Sequence, residues 1–288
     1  MSNTTLYDLA APAKINLFLH LVGRRPDGYH LLQSVFALLD WQDTIHLEVR
    51  NNGQISREDL TTALPEDDLC TRAAYALQKA TGCSSGAHIA LAKSIPAEAG
   101  MGGGSSDAAT CLIGLNRLWQ TGLDHNQLCS IGLKLGADVP FFIKGKNAWV
   151  EGVGQFITPI ELPESEFLVI KPHKGLSTKD IFSAKDLKRN TKSATLAVFA
   201  EQLDAPYNYG KNDMQAVAER LCPEISDVIH LMSQMGLKGR MTGSGSAVFA
   251  WLPMPKDKFL EQYGQQLKNI SQQFKICKNL SQHPLYNT

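Results

Sequence analysis

Gly100-Met101-Gly102-Gly103-Gly104-Ser105-Ser106-Asp107 is the stretch that decides how this chain folds. Glycine at four of five consecutive positions lets the backbone reach positive φ and removes side chains that would hold a ligand at a distance. Directly after it, Ala108, Ala109, Leu112, Leu115, Leu118 and Trp119 recur at helical spacing, so the loop feeds a helix N-terminus. Ahead of it, Ala87 to Leu91 alternates as a strand that ends before Pro96. Strand, glycine loop and helix in that order gather unpaired N–H groups and the positive end of a helix dipole, an arrangement that favours phosphate. Ser105 and Ser106 add hydroxyls suited to a phosphate oxygen or a metal. The plain alternative is a capped turn, and the flanking strand and helix weigh against it.

Spacing separates this loop from two better-known phosphate loops. A Walker A loop needs Lys and then Ser or Thr after its second glycine, and the nearest match, Gly23 through Gly28, continues Tyr29-His30. The dinucleotide fingerprint Gly-x-Gly-x-x-Gly, counted from Gly100, ends on Ser105. Neither chemistry is indicated.

Working outward, Ala13 to Leu21 alternates, with Ala13, Ile15, Leu17, Leu19 and Leu21 on an oily face and Lys14, Asn16, Phe18 and His20 on a mixed one. Leu69, Ala73, Ala76, Leu77 and Ala80 predict a helix. Leu128, Ile131 and Leu135 predict another, closed by Gly136, from which Ala137-Asp138-Val139-Pro140-Phe141-Phe142 leads toward a strand with Asp138 at the junction. Alone, Lys14 reads as a solvated lysine and Asp138 as a turn-former. Pro159, Pro163 and three glutamates mark a boundary near residue 160, dividing the chain into 1–160 and 161–288. The second part carries a strand at Phe167 to Ile170 and a helix with Ile225, Val228, Ile229, Met232 and Met235 on one face, stopped by Gly236. A glycine turn, Thr242-Gly243-Ser244-Gly245-Ser246, then precedes a strand from Ala247 to Leu252.

Composition excludes several functions. Lys plus Arg number 28 and Asp plus Glu 28, so the 288 residues carry no net charge, unlike a polybasic binder of nucleic acid or membrane surfaces. At 43% hydrophobic residues the chain can bury a core and is not of the disordered class. The six cysteines form no Cys-x-x-Cys pair, and the eight histidines show no metal-ligand spacing. Met1-Ser2-Asn3-Thr4-Thr5 lacks the basic start and apolar run of a secretory leader, so the expectation is a soluble cytoplasmic protein.

Taken together, Pro12-Ala13-Lys14-Ile15-Asn16-Leu17, Asp27-Gly28-Tyr29-His30, Ile95 to Ala109, Leu135 to Phe142 and Glu151-Gly152-Val153-Gly154 closely resemble the GHMP kinase superfamily, and within it the branch serving non-mevalonate isoprenoid biosynthesis. The resemblance implies an α+β fold of two parts, an α/β N-terminal domain and a ferredoxin-like α+β C-terminal domain, with the site between them. It implies a kinase using ATP with Mg²⁺ to phosphorylate the 2-hydroxyl of a cytidine-diphosphate-linked methylerythritol. Another GHMP kinase with a different alcohol, or a silent nucleotide-binding module, are the alternatives. ATP would lie along Pro96, Ala97, Glu98, Ala99, Gly100, Met101, Gly102, Gly103, Gly104, Ser105 and Ser106, with its adenine near Lys93 and Asp68. Asp68 stands where relatives usually carry Asn, and Met101 where Leu is commoner. The catalytic pair would be Lys14 and Asp138. The cytosine would meet His30, with Tyr29 and Phe182 on its faces, while Asn16 and Thr178 touch the remaining polar groups.

Overall fold

The computed structural model describes residues 4–203, 206–270 and 272–287; Met1, Ser2 and Asn3 of the opening segment lie outside the described residues. The chain begins with two long antiparallel strands, β1 (Thr5–Arg24) and β2 (His30–Arg50), followed by β3 (Ile55–Asp59), α1 (Leu69–Thr81) and β4 (Gly86–Ala92). The glycine loop leads into α2 (Gly103–Leu118); then come α3 (His125–Gly132), α4 (Val139–Lys144), β5 (Ala148–Gly152) and β6 (Phe156–Pro159). These strands form one sheet in the order β3-β4-β2-β5-β6, with β1 also paired to β2.

A second sheet starts with β7 (Glu166–Lys171). After it come α5 (Thr178–Ser183), α6 (Leu196–Ala200), α7 (Gln215–Leu221), α8 (Glu224–Gln234), β8 (Arg240–Met241), β9 (Val248–Trp251), α9 (Lys256–Lys268) and β10 (Gln273–Lys278). The order β10-β7-β9-β8, with every pairing antiparallel, is the ferredoxin-like arrangement.

The period-two alternation of the strands dictates the layers. Phe36, Leu38, Ile45 and Leu47 of β2 turn toward helices α1 and α2, while Val35, Ala37, Leu39 and Trp41 turn the other way and meet Phe167, Val169 and Phe249 of the second sheet. On β7, Leu168 and Ile170 face Ile225, Val228 and Phe259 on the outer helices. The result is helices, sheet, sheet, helices. The mixed face expected of β1 is not solvated either: residues 9–21 are buried on both faces, with Ala13, Ile15 and Leu17 packed in the layer between the sheets and Lys14 lying over the Phe36 ring. Beyond β10 the chain returns to the first sheet, where the His283 N–H donates to the Gly145 carbonyl at 2.7 Å.

Two local expectations are corrected. Helix α3, closed at its start by a capping box of Asp124 and Gln127, ends at Gly132 and continues to Gly136 only as tight turns. The segment after Asp138 is helix α4 rather than a strand. Pro140 sits in its first turn, where a missing N–H costs no hydrogen bond. Val139, Phe141, Phe142 and Ile143 are all buried, at about 2 kcal/mol each, and so short an apolar run does not itself distinguish strand from helix. Among the described residues no helix is long and apolar enough to cross a membrane.

Candidate active site

Two cavities meet at the glycine loop. The smaller, about 300 Å³, is lined by Leu64, Pro65, Asp68, Lys93 and the whole run Pro96 to Gly104. The larger, about 1060 Å³, opens between the two sheets and is lined by Lys14, Asn16, Tyr29, His30, Ser105, Asp138, Thr178 and Phe182 among others. Glu98, Gly100 and Gly102 line both. Ser106 lies behind this surface, fully buried.

The loop is shaped from both sides. Gly100 has φ +71°, and a Cβ there would strike the carbonyl of Thr242 in the second glycine turn; in return, a Cβ on Gly243 would stand 2.6 Å from the Gly100 carbonyl oxygen. The N–H groups of Ser246 and Ala247 donate to the carbonyls of Glu98 and Ala99 at 3.0 and 3.2 Å. The two turns are thus stitched together through backbone. Helix α2 has Gly102 at its N-cap and no side-chain cap, so its first-turn amides remain available to an anion.

On the other side of the loop, the Lys14 N–H donates to the Met101 carbonyl at 2.9 Å. Lys14 Nζ donates to Asn16 Oδ1 at 2.6 Å and lies 3.6 Å from Asp138 Oδ2. Its side chain is 4% exposed against 30% for that of Asp138, so the carboxylate faces the cavity and the ammonium stands behind it. Burial lowers the Lys14 pKa from its ordinary value, and the Asp138 charge and hydrogen bond oppose that shift. Asn16 is buried and fully engaged: Nδ2 donates to Ser34 Oγ at 2.9 Å, and Oδ1 accepts from Lys14 and from Thr242 Oγ1.

At the far end of the larger cavity, His30 stacks on Phe182, ring centroids 4.5 Å apart and planes 20° from parallel. Tyr29 is 63% exposed beside them. Arg189 Nε donates to His30 Nε2 at 2.8 Å. Thr178 Oγ1 and Ser244 Oγ, 2.7 Å apart, join α5 to the second glycine turn.

The two residues expected beside the adenine have other partners. Lys93 Nζ sits between Asp43 and Asp107, 2.6 Å from Asp107 Oδ2. Burial pushes the Asp107 carboxyl up to about 8, against the pull of Lys93. Asp68 caps α1, its Oδ1 accepting from the Cys70 N–H at 2.6 Å, and its other oxygen accepts from Arg57 and Thr71. Arg57 also donates to the Pro65 and Leu64 carbonyls and pairs with Asp59, so one guanidinium clamps the loop that walls the smaller cavity. An acid is at home at position 68 because Arg57 neutralises it. Arg57, Arg189 and Asp43 carry no mark in the sequence; Asp107, at the end of the glycine stretch, and Thr242, inside the second glycine turn, had one.

Against known proteins, residues 68–146 match the GHMP kinases N terminal domain and residues 190–269 the GHMP kinases C terminal model. The chain belongs to the GHMP kinases, small-molecule phosphotransferases. A homoserine kinase from Cytophaga hutchinsonii shares the fold, with TM-score 0.72 at 15% identity over 98% of this chain and 96% of that one. More specifically, the chain falls in the family of 4-diphosphocytidyl-2-C-methyl-D-erythritol kinases. It is 59% identical to the one from Paracidovorax citrulli over 98% of this chain and 96% of the relative, and 55% identical to that of Variovorax paradoxus over 98% of each. A crystal structure of a 4-(cytidine 5'-diphospho)-2C-methyl-D-erythritol kinase superposes with TM-score 0.79 at 32% identity, covering 94% of this chain and 98% of that one.

Proposed function

We propose that this chain transfers the γ-phosphoryl group of ATP to the 2-hydroxyl of 4-(cytidine 5'-diphospho)-2-C-methyl-D-erythritol, with Lys14 and Asp138 as the catalytic pair. The observation that carries this is a carboxylate facing the larger cavity with a buried ammonium 3.6 Å behind it, next to a glycine loop shared with the smaller cavity. The smaller cavity takes the nucleotide, the loop amides and α2 N-terminus take its phosphates, and the larger cavity takes the alcohol and its base.

The acceptor hydroxyl oxygen forms the new bond to phosphorus as the bond between the γ-phosphorus and the bridging oxygen of ADP breaks. Asp138 orients the hydroxyl and takes its proton. Lys14 pairs with the Asp138 carboxylate and offsets negative charge near the transferred group. Because the transition state is loose, alignment contributes more than proton abstraction. Asn16 acts one step back, fixing Lys14 Nζ in place. His30 meets the edge of the cytosine, with Tyr29 and Phe182 as ring faces and Thr178 as a polar contact at the same cavity.

The residues beside the loop fit magnesium: Glu98, which lines both cavities, and Ser105, which lines the larger, are hard oxygen donors, and this ion takes few protein ligands beside the phosphates it accompanies. When bound it supplies charge neutralisation on the polyphosphate. We assign 1–160 to the nucleotide-loop domain and 161–288 to the C-terminal domain, and a soluble cytoplasmic setting.

Phosphorus NMR of a mixture with ATP and the cytidylated substrate tests the reaction directly. The expected result is ADP together with a new monoester signal coupled to the carbon-2 position. Hydrolysis of ATP without that signal, or a phosphate on another hydroxyl, would overturn the assignment.

A further inference from the structure

Arg189 lies outside the lining of the larger cavity, yet its guanidinium reaches both rings of the base-recognition end, His30 directly and Phe182 through its carbonyl. Its Nε donates to His30 Nε2 at 2.8 Å, Nη1 to the Leu187 carbonyl at 2.8 Å, and Nη2 to the Phe182 and Ala184 carbonyls, both at 2.9 Å. The same guanidinium therefore anchors the end of α5 that carries the Phe182 ring and the imidazole stacked on that ring.

A guanidinium offers donors and no acceptor. His30 Nε2 must then supply a lone pair, and a neutral imidazole with its lone pair on Nε2 carries its proton on Nδ1. Nδ1 has no hydrogen-bond partner among the described residues, and His30 lines the larger cavity. The charged groups that face this ring are Arg189 and Arg24, both cations; after burial, they add to the lowering of the His30 pKa and keep the ring neutral.

We infer that Arg189 is a specificity-determining positioning residue: by fixing His30 as an Nδ1–H donor, it makes the site select a pyrimidine whose N3 accepts a hydrogen bond, as in cytosine, over one whose N3 carries a proton, as in uracil. This rests on the assignment of His30 to the base edge made above. With uracil, two donors would face each other, and a site built around a directional hydrogen bond rejects the mismatched partner strongly.

The test compares kcat/KM for the cytidine and uridine forms of the diphosphate substrate in the unaltered protein, Arg189→Met and Arg189→Lys. The unaltered protein should prefer the cytidine form at every pH from 6 to 8.5. In Arg189→Met the imidazole is free to carry its proton on Nε2, so the preference should fall about tenfold or more at pH 8, the worth of one lost hydrogen bond. It should recover as pH falls through the His30 pKa, because the imidazolium again presents Nδ1–H. Arg189→Lys, which keeps a donor to Nε2, should restore part of the preference. A merely structural role for Arg189 would lower both substrates alike and leave the ratio flat with pH; that result overturns the inference. If the unaltered protein phosphorylates neither substrate, the base assignment fails and this inference with it. Nitrogen-15 spectra of His30 in the unaltered protein give a readout independent of activity and of variant folding: Nε2 should be unprotonated and Nδ1 protonated, and the reverse tautomer refutes the role of Arg189.

Discussion

Lys14 Nζ stands 3.6 Å from Asp138 Oδ2, and the two respond oppositely to water: the lysine is buried over the Phe36 ring and against Gly102 of the glycine loop, while the carboxylate looks into the cavity. The lysine therefore depends on the carboxylate to keep its charge. Burial lowers the Lys14 pKa from 10.5, and Asp138 raises it, so the ammonium survives near neutrality by virtue of its partner. Turnover should fall on the alkaline side as Lys14 loses its proton, at a pH below that of an ordinary lysine. Carbon-13 titration of the Lys14 side chain checks this, and Asp138→Asn should move the midpoint lower still. A midpoint unmoved by that change would separate the pair.

The same substitution addresses chemistry. Asp138→Asn should cut kcat by about 10²-fold or more, the range of a positioned general base, with little change in ATP affinity. Single-turnover kinetics and calorimetry separate the two quantities, and near-normal turnover would remove Asp138 from the reaction.

Among the described residues Arg57 makes no hydrogen bond to the glycine loop, but it clamps the Leu64 and Pro65 carbonyls and Asp68 in the wall of the smaller cavity. Arg57→Met should raise the KM for ATP several-fold, on the order of 1 kcal/mol, and leave kcat nearly intact, since it loosens a wall used equally in ground and transition states. A fall in kcat at unchanged KM would contradict the assignment of that cavity to the nucleotide.

His283 tests the attachment of the C-terminal segment. Burial pushes its pKa down to about 4 from 6.5, and its Nδ1 accepts from the Leu285 N–H at 3.0 Å. A folded pKa below the unfolded one means that the stabilisation is complete above pH 6.5 and is lost as pH falls toward 4, by up to about 3 kcal/mol. Urea midpoints at pH 7 and 4.5 should differ by less in His283→Gln than in the unaltered chain.

Much of this was legible in the sequence, for identifiable reasons. The order strand, glycine loop, helix is written in local periodicity, and β4 (Gly86–Ala92) and α2 (Gly103–Leu118) appear where alternation and helical spacing put them. Lys14 and Asp138 emerged only through resemblance, because nothing in either one's neighbours reveals which other segment lies against it. Arg189 and Arg57 escaped entirely: each is an unremarkable exposed-type residue until tertiary packing brings His30 or Asp68 to it. Gly103 shows the limit of reasoning from composition. A β-branched side chain there would be expected to obstruct phosphate, but a Cβ at Gly103 points back at Ile95 and Lys93, 3.2 and 3.3 Å away. Gly103→Val would disturb the Lys93 bridge first.

The backbone seam between Gly100 and Gly243 also bears on how the protein can be made more heat-resistant. Exchanging glycine for alanine ordinarily stabilises by restricting the unfolded chain, but at these two positions positive φ and a facing carbonyl turn the same exchange into a loss. Gly264 is the opposite case. It lies within α9 with open space around the missing Cβ and no positive φ, so Gly264→Ala should raise stability by about 1 kcal/mol, read as a higher melting temperature at unchanged activity. Engineering for durability therefore belongs on the outer helices, and the seam is the place to leave untouched.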